Sequence, residues 1–365
     1  MKKIFCRENR RMHAYFAAVL ALIAASFLIG RNDGAVEFFK TRVDMPLKHF
    51  LAGLCSAVPF SVGEIIIILA VIGALWYLVR TVTAVIKAKD KGPLLYRRFM
   101  RAVCFLLTVA LLLLLGLGPL NRSRSFQENS GIYAVKSDVE TLYKVTRLFA
   151  DMANRTGAGL DRDGSGVFTA DLDSVLAAGT SVYDELEKQF PFLSMKAVKP
   201  KKLLLSRLFS ACGYTGFYFP ITGEANLNSD SPICMIPSTA AHEMAHQRGV
   251  AREQEANFVA VLACTSCDDP VYQYSGWLMG YVNLSNALYR QDEELWGQVR
   301  SSLADHVVSD LRANSEYWAQ FDKGISKVAG KVSDSVYNTY LKSSGQELGL
   351  RSYGAVVDLL IAYYG

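Results

Sequence analysis

Residues 238–257 carry the side chains of this chain whose types and spacing best suit chemistry. They read STAAHEMAHQRGVAREQEAN and contain HEMAH, an H-E-x-x-H pattern. Residues four apart on an α-helix lie on one face, so the imidazoles of His242 and His246 can bind one zinc ion. Glu243 would then lie beside a zinc-bound water and act on it as a general base.

A catalytic zinc site needs a third protein ligand, and the residues after the second histidine offer one. Gly249 is a natural helix stop, and the sequence from Arg252 onward again has a helical pattern. Two helices joined by so tight a turn form an antiparallel hairpin. Turning the chain at Gly249 and Val250 brings Glu253 level with His246. We therefore predict Glu253 as the third ligand.

Two further residues of this second helix are relevant to the site. Asn257 lies one turn beyond Glu253 and comes level with His242, so we predict that it supports a ligand imidazole by a hydrogen bond. Glu255 points to another face of the helix and is the alternative third ligand.

The longer zinc-protease pattern H-E-x-x-H-x-x-G-x-x-H is excluded, because Arg252 occupies its third histidine position and cannot coordinate a cation.

Three other interpretations of the motif stay open. The histidines can be hydrogen-bonded helix residues without any metal. A zinc ion can instead clamp the helix hairpin of a non-catalytic protein, which requires a fourth protein ligand such as Glu255 or Cys212. The chain can also be a receptor or assembly factor that has a zincin shape and no activity.

Composition indicates a membrane protein with a separate soluble domain. Of the 365 residues, 51% are hydrophobic, and the mean hydropathy is +0.17. Apolar runs at 14–30, 60–79 and 102–120 are each about long enough to cross a bilayer. We interpret the first run as an anchor, since two more apolar runs follow it instead of a soluble domain. The predicted domains are a membrane anchor over 1–121 and a zincin-like domain over 122–365.

Lysine and arginine counts predict the orientation of this anchor. Residues 80–101 carry seven basic side chains, whereas residues 31–57 carry four, diluted by three acids. The positive-inside rule then places the N-terminus and the 80–101 loop in the cytoplasm and the C-terminal domain outside the cell membrane. The net charge of +5 reflects this topology, so we predict no nucleic-acid partner.

The predicted fold class is mainly α: three transmembrane helices and then a helical domain with a small β-hairpin or sheet. Residues 216–228 read as a strand pair, which either pairs with an extended substrate or caps the core. Ser238 is the predicted N-cap of the metal-binding helix.

A disulfide between Cys212 and Cys234 is left open. Four tyrosines are candidates for stabilising an oxyanion: Tyr274, Tyr281, Tyr340 and Tyr353.

These motifs together resemble a family of bacterial multi-span membrane proteins known only as a domain of unknown function. The resemblance rests on FSVGE near Phe60, GFYFPITGEANLN, HEMAHQRG, REQEANF, YSGW, NTYLK and SYGAVVDLL. It implies a three-span anchor and a helical zincin-like domain. The E-x-x-A-[DN] pattern is also similar to the third-ligand helix of membrane-bound gluzincins, which implies that Glu253 binds zinc and that Asn257 replaces an aspartate.

The sequence as a whole predicts a membrane-anchored zinc metallopeptidase. Its cofactor is Zn²⁺, and its partners are the lipid bilayer and a polypeptide substrate at the outer membrane face. Envelope or secreted polypeptides are the expected substrates. After attack on the peptide carbonyl, Glu243 passes its proton to the leaving amine.

Overall fold

The computed structural model describes residues 7–343 and 353–365, which form two compact units. In the described residues, unit 1 comprises 7–46 and 62–123, and unit 2 comprises 47–61, 124–343 and 353–365. Hydropathy alone assigns all of the chain before residue 122 to the anchor. The contacts instead group Leu47–Ser61, which lies between the first two apolar runs, with the C-terminal residues.

Unit 1 consists mainly of long apolar helices. In the described ranges, three helices are long and apolar enough to cross a membrane, which confirms that expectation. Their side chains are mostly exposed, as expected for helices solvated by lipid. A π-helical segment, Lys40–Asp44, lies between the helices Asp33–Phe39 and Met45–Cys55. The helices up to residue 122 are α1 (Arg7–Ile29), α2 (Asp33–Phe39), α3 (Met45–Cys55), α4 (Val62–Lys87) and α5 (Lys91–Arg122).

Unit 2 is built around the helix Glu253–Ser266 (α12), which is buried almost all round. The same hydrophobic core includes residues of the helices Val139–Gly157, Ile236–Gln247, Pro270–Gln291 and Tyr353–Tyr364. A helix that is apolar on every side belongs at the centre of a fold, so α12 provides a rigid base for residues at its first turn. The mainly α fold class is confirmed. The helices after residue 122 are α6 (Phe126–Ser130), α7 (Val139–Gly157), α8 (Leu172–Ala178), α9 (Asp184–Gln189), α10 (Ser206–Ala211), α11 (Ile236–Gln247), α12 (Glu253–Ser266), α13 (Pro270–Gln291), α14 (Glu293–Ser301), α15 (Asp305–Ala319), α16 (Gly324–Ser343) and α17 (Tyr353–Tyr364).

A small sheet confirms the predicted β element. Its strands are β1 (Lys201–Lys202), β2 (Gly216–Phe219) and β3 (Glu224–Leu227), in the order β1-β3-β2. β3 pairs parallel to β1 and antiparallel to β2. The strand β2 is therefore at an edge of the sheet, and one row of its backbone groups has no strand partner within this sheet.

The register of the hairpin fixes which backbone groups face that edge. Asn228 N–H donates to the Thr215 carbonyl at 2.9 Å, which makes these two residues a hydrogen-bonded pair. Such pairs alternate with non-hydrogen-bonded ones along an antiparallel ladder. Gly216 and Tyr218 are therefore the β2 residues whose backbone N–H and C=O groups point away from β3.

A buried lysine ties the segment Leu47–Ser61 to this sheet. The ammonium of Lys201 donates to the carbonyls of Cys55 at 2.6 Å and Phe60 at 2.9 Å. It also forms an ion pair with Glu224 at 2.7 Å, and both side chains are buried. Buried charges need such partners, so the position of the 55–60 backbone depends on Lys201.

Helix α3 also contacts the β2–β3 turn and the end of α11. A Cβ atom on Gly223 would lie 2.5 Å from the Lys48 carbonyl oxygen and 3.2 Å from the side chain of Ala52. His49 Nε2 lies 3.1 Å from the carbonyl oxygen of Gln247, the last residue of α11. These contacts explain why Leu47–Ser61 belongs to unit 2.

The lysine contacts generate a stability prediction with a neighbouring control. We expect Lys201→Met to destabilise unit 2 by about 3–5 kcal/mol, since it leaves a buried carboxylate without this cation. Lys202→Met should cost less than about 1 kcal/mol, because the Lys202–Asp173 ion pair is exposed. Thermal unfolding in detergent, with proteolysis within residues 47–61 as a second readout, measures both. Equal effects of the two substitutions would contradict the role of Lys201.

Candidate metal centre

The candidate centre lies at a tight turn between α11 and α12, as the sequence predicts. Gly249 has a φ of +84°, which other residues rarely adopt. Val250 N–H donates to the Ala245 carbonyl and Gly249 N–H to the His246 carbonyl, both at 3.1 Å. This pair of bonds is a Schellman motif, which ends α11 and reverses the chain so that α12 begins at Glu253.

The hairpin brings together the three residues predicted as ligands. In the described part of the chain, His242, His246 and Glu253 form a group whose ligand atoms all lie within 4.8 Å of one another. The two Nε2 atoms are 3.2 Å apart. Glu253 oxygens lie 3.2 Å from His242 Nε2 and 3.6 Å from His246 Nε2.

These distances and donor atoms fit a zinc ion. A tetrahedral ion with bonds of about 2.0–2.1 Å holds its ligands roughly 3.3 Å apart, close to the 3.2 Å between the two Nε2 atoms and the 3.2 Å between His242 Nε2 and the nearer Glu253 oxygen. Two imidazole nitrogens and one carboxylate oxygen are also a common donor set for catalytic zinc. The residues therefore fit the metal in both geometry and chemistry.

Hydrogen bonding at the far side of His246 favours metal binding. Its Nδ1 lies 2.7 Å from the Val250 carbonyl oxygen, so this nitrogen carries the proton and Nε2 faces the centre of the group. Val250 thus has the supporting role that we predicted for Asn257. Asn257 is half-buried on α12, and in the described part of the chain it bonds to neither imidazole; His242 Nδ1 is buried there without a hydrogen-bond partner.

Glu255 is not a ligand, which corrects the alternative prediction. Its carboxylate accepts from the backbone N–H of Phe126 at 2.7 Å and from Gln127 Nε2 at 3.1 Å. It is also 3.6 Å from the guanidinium of Arg252. Glu255 is two residues from Glu253 and therefore lies on another face of α12, where it holds the start of α6.

The charges of the group and of Glu243 strongly shift the pKa values of its members. Burial alone would lower the pKa of His246, but the carboxylates of Glu253 and Glu243 outweigh it and raise this pKa to about 9. Burial would raise the pKa of Glu253, but the imidazoles of His246 and His242 lower it well below its usual value. The group thus stabilises positive charge at its centre, where a metal ion would replace a proton.

Glu243, the predicted general base, lies buried between α11 and β2. Burial raises its pKa to about 7, although the two neighbouring imidazoles oppose the shift. The backbone N–H of Tyr218 interacts with its carboxylate and favours the charged form. A Cβ atom on Gly216 would lie 2.9 Å from Glu243 Oε1, so the carboxylate packs directly against the edge strand.

The start of α11 differs from the sequence prediction. The helix begins at Ile236, and Ser238 lies inside its first turn instead of at the N-cap. Ser238 N–H donates to Ser275 Oγ at 3.0 Å, so α13 provides the acceptor for this N-terminal amide. A tertiary contact of this kind has no local sequence signal.

Buried aromatic and charged side chains hold the other end of α11. The guanidinium of Arg248 stacks on the Tyr183 ring at 3.8 Å and pairs with Glu187 at 3.0 Å. Tyr183 donates its hydroxyl to the Ala241 carbonyl at 2.6 Å. These contacts fix the helix that carries both histidines.

Neither of the two predicted oxyanion donors whose side chains the structure describes, Tyr274 and Tyr281, is an evident donor. Tyr274 donates its hydroxyl to buried Asp310, which also binds Arg162 at 3.1 Å. Tyr281 is buried in the core. The side chains of Tyr340 and Tyr353 lie outside the described ones.

Cys212 and Cys234, whose pairing was left open, are free.

Tyr218 is the residue near the histidines that sequence reasoning missed. Its ring centroid is 6.2 Å from that of His246. Gly216 and Tyr218 share one face of β2, because strand residues two apart point the same way. That alternation, in a strand directly before the histidine helix, is the signal that could have identified it.

Comparison with known families identifies the family of the chain. The family described as "Protein of unknown function (DUF3810)" matches residues 39–361, and the chain therefore belongs to it. No curated protein and no solved structure matches the chain.

The two glutamates of the first turn of α12 give a matched test of the ligand set. We expect Glu253→Ala to abolish stoichiometric zinc binding, since it removes one of three ligands. Glu255→Ala should retain zinc but lower stability by about 1–3 kcal/mol, because buried Phe126 N–H loses its acceptor. Metal analysis after dialysis, together with thermal unfolding, measures both effects. Zinc loss from the Glu255 variant alone would contradict the assignment.

The tight packing at β2 predicts that Gly216→Ala is disruptive. The added methyl group would lie 2.8 Å from the Asn226 carbonyl oxygen and 2.9 Å from Glu243 Oε1. We expect a loss of about 1–3 kcal/mol from this overpacking. Gly159→Ala is the control, since its Cβ meets nothing within 4 Å. Thermal unfolding of both variants is the measurement, and equal stability would contradict the close contact.

Proposed function

We propose that this protein is a membrane-anchored zinc metallopeptidase that hydrolyses envelope or secreted polypeptides. The single observation that carries the proposal is the convergence of His242, His246 and Glu253 beside the buried carboxylate of Glu243. Three ligands and an adjacent general base are the arrangement that a hydrolytic zinc site requires.

The number of ligands favours an open, catalytic site over a structural clamp. In the described ranges, the group of His, Cys, Asp and Glu residues suited to a metal has three members. A structural zinc site uses four protein ligands. Glu255, one candidate for the fourth, is hydrogen-bonded to α6 instead.

Glu243 has the properties of a residue that first accepts a proton and later donates it. His242, His246 and Glu253 would hold the zinc ion, which would supply a Lewis acid for the peptide carbonyl and for water. Glu243 takes a proton from the attacking water and then gives it to the leaving amine. Burial raises the pKa of Glu243 above that of a free carboxylate, which makes this side chain a better proton acceptor.

The edge strand β2 borders the general base, and we place the substrate backbone along the side of this strand that faces away from β3. Gly216 and Tyr218 direct their backbone groups away from β3, and Gly216 packs against Glu243. An extended peptide along this edge lies beside the general base, whose carboxylate interacts with Tyr218 N–H. Pairing through main-chain atoms tolerates many side chains, which suits a polypeptide substrate.

The proposed location follows from the spans and the basic residues. Two candidate spans, α4 and α5, separate Leu47–Ser61 from the rest of unit 2, so both parts of unit 2 lie on one side of the membrane. The positive-inside rule places the basic 80–101 loop in the cytoplasm, which puts unit 2 outside.

Glu243→Gln tests the proposed function in the full-length protein in nanodiscs. We expect the variant to keep its zinc and to cleave a peptide library about 10²–10⁴-fold more slowly, since it lacks the general base. Glu140→Gln, an exposed position on α7, is the control. Product masses and metal content are the readouts. Wild-type protein that holds zinc and cleaves no peptide, or cleavage that survives in the Glu243 variant, would contradict the proposal.

A further inference from the structure

We propose that the outer face of α3 and the leucines of residues 204–208 form one surface of unit 2 that inserts into the lipid bilayer. The first observation is that α3 exposes large apolar side chains and buries a lysine, which is the reverse of an amphipathic helix in a soluble protein. Its packed side carries Lys48 and Ala52, whereas Leu47, Phe50 and Leu54 are 53–67% exposed.

The spacing of these three residues places them on one side of the helix. Residues three, four and seven apart share a face of an α-helix. Lys48 and Ala52 are on the opposite side, against the rest of unit 2. A helix whose apolar face points away from its own protein core is suited to an apolar surrounding medium.

A second exposed apolar group follows β1. Leu204, Leu205 and Leu208 are 63%, 41% and 57% exposed. Leu204 and Leu205 directly precede α10, Leu208 lies in its first turn, and the neighbouring Leu203 is instead buried. Three exposed leucines within five residues are unusual for a water-facing surface.

Contacts within unit 2 bring the two groups to the same region. Lys201 binds the carbonyls of Cys55 and Phe60, and Cys55 directly follows Leu54 in the chain. Leu204 is three residues after Lys201, at most about 11 Å of extended chain. The exposed leucines and the exposed face of α3 are therefore neighbours.

Chain continuity identifies the bilayer as the occupant. Phe60 precedes the first residue of the α4 span by two residues, which is at most about 7 Å of chain. Its carbonyl is bound to Lys201 at 2.9 Å, so Lys201 must lie close to the membrane surface. The apolar residues beside it are within reach of the lipid, whether or not the protein is a peptidase.

Fluorescence quenching by brominated lipids tests this surface in the full-length protein. Single cysteines replace Phe50, Leu205 or, as a control, Glu294 at the exposed acidic start of α14. The background carries Cys6→Ser, Cys55→Ser and Cys212→Ser; the other cysteines are Cys104, Cys234, Cys264 and Cys267, which are buried. Each cysteine is labelled with a polarity-sensitive dye, and the protein is placed in nanodiscs of phosphatidylcholine and phosphatidylglycerol, with or without bromine on the acyl chains.

We expect blue-shifted emission and severalfold stronger quenching at residues 50 and 205 than at residue 294. Unchanged thermal unfolding of each variant shows that it is folded. The proposal is overturned if both labels report water in brominated nanodiscs, or if residue 50 is quenched and residue 205 is not. Shielding that appears only when two copies share a nanodisc would also overturn it, because a second chain would then be the occupant.

Discussion

The candidate centre depends on the chain reversal between α11 and α12. Gly249 in the left-handed conformation permits a Schellman motif, and that motif determines where Glu253 meets the two histidines. The same turn directs the Val250 carbonyl at His246 Nδ1. One backbone feature therefore sets both the position of the third ligand and the orientation of one imidazole.

The surrounding structure holds the two helices rigidly. α12 is buried on nearly every side, and α11 is fixed at its C-terminal end by Arg248, Tyr183 and Glu187. The β2 edge closes against Glu243 on the remaining side. Such support matters because the ligand atoms must stay within a few tenths of an ångström of their positions for a metal site to form.

Helix periodicity and turn residues within a short stretch of sequence were enough to predict the parts of the site that lie within one helix hairpin. The spacing of His242 and His246, the helix stop at Gly249 and the position of Glu253 follow from helix periodicity and turn chemistry. The three apolar runs likewise follow from composition. The assignment of zinc and of catalysis to these residues stays a prediction.

Long-range contacts decided the features that sequence reasoning did not reach. Glu255 is bonded to residues about 130 positions earlier, and Lys201 binds carbonyls more than 140 positions away. The start of α11 depends on Ser275 of another helix. No periodicity or spacing within a short window encodes such partners, so the inclusion of Leu47–Ser61 in unit 2 had no sequence signal.

X-ray absorption spectroscopy of the zinc-loaded, full-length protein tests the central claim most directly. We expect four nitrogen or oxygen neighbours at about 2.0–2.1 Å, two of them with the multiple-scattering pattern of imidazole, and no sulfur neighbour. A sulfur neighbour at about 2.3 Å, fewer than two imidazoles, or failure to bind zinc at all would contradict it.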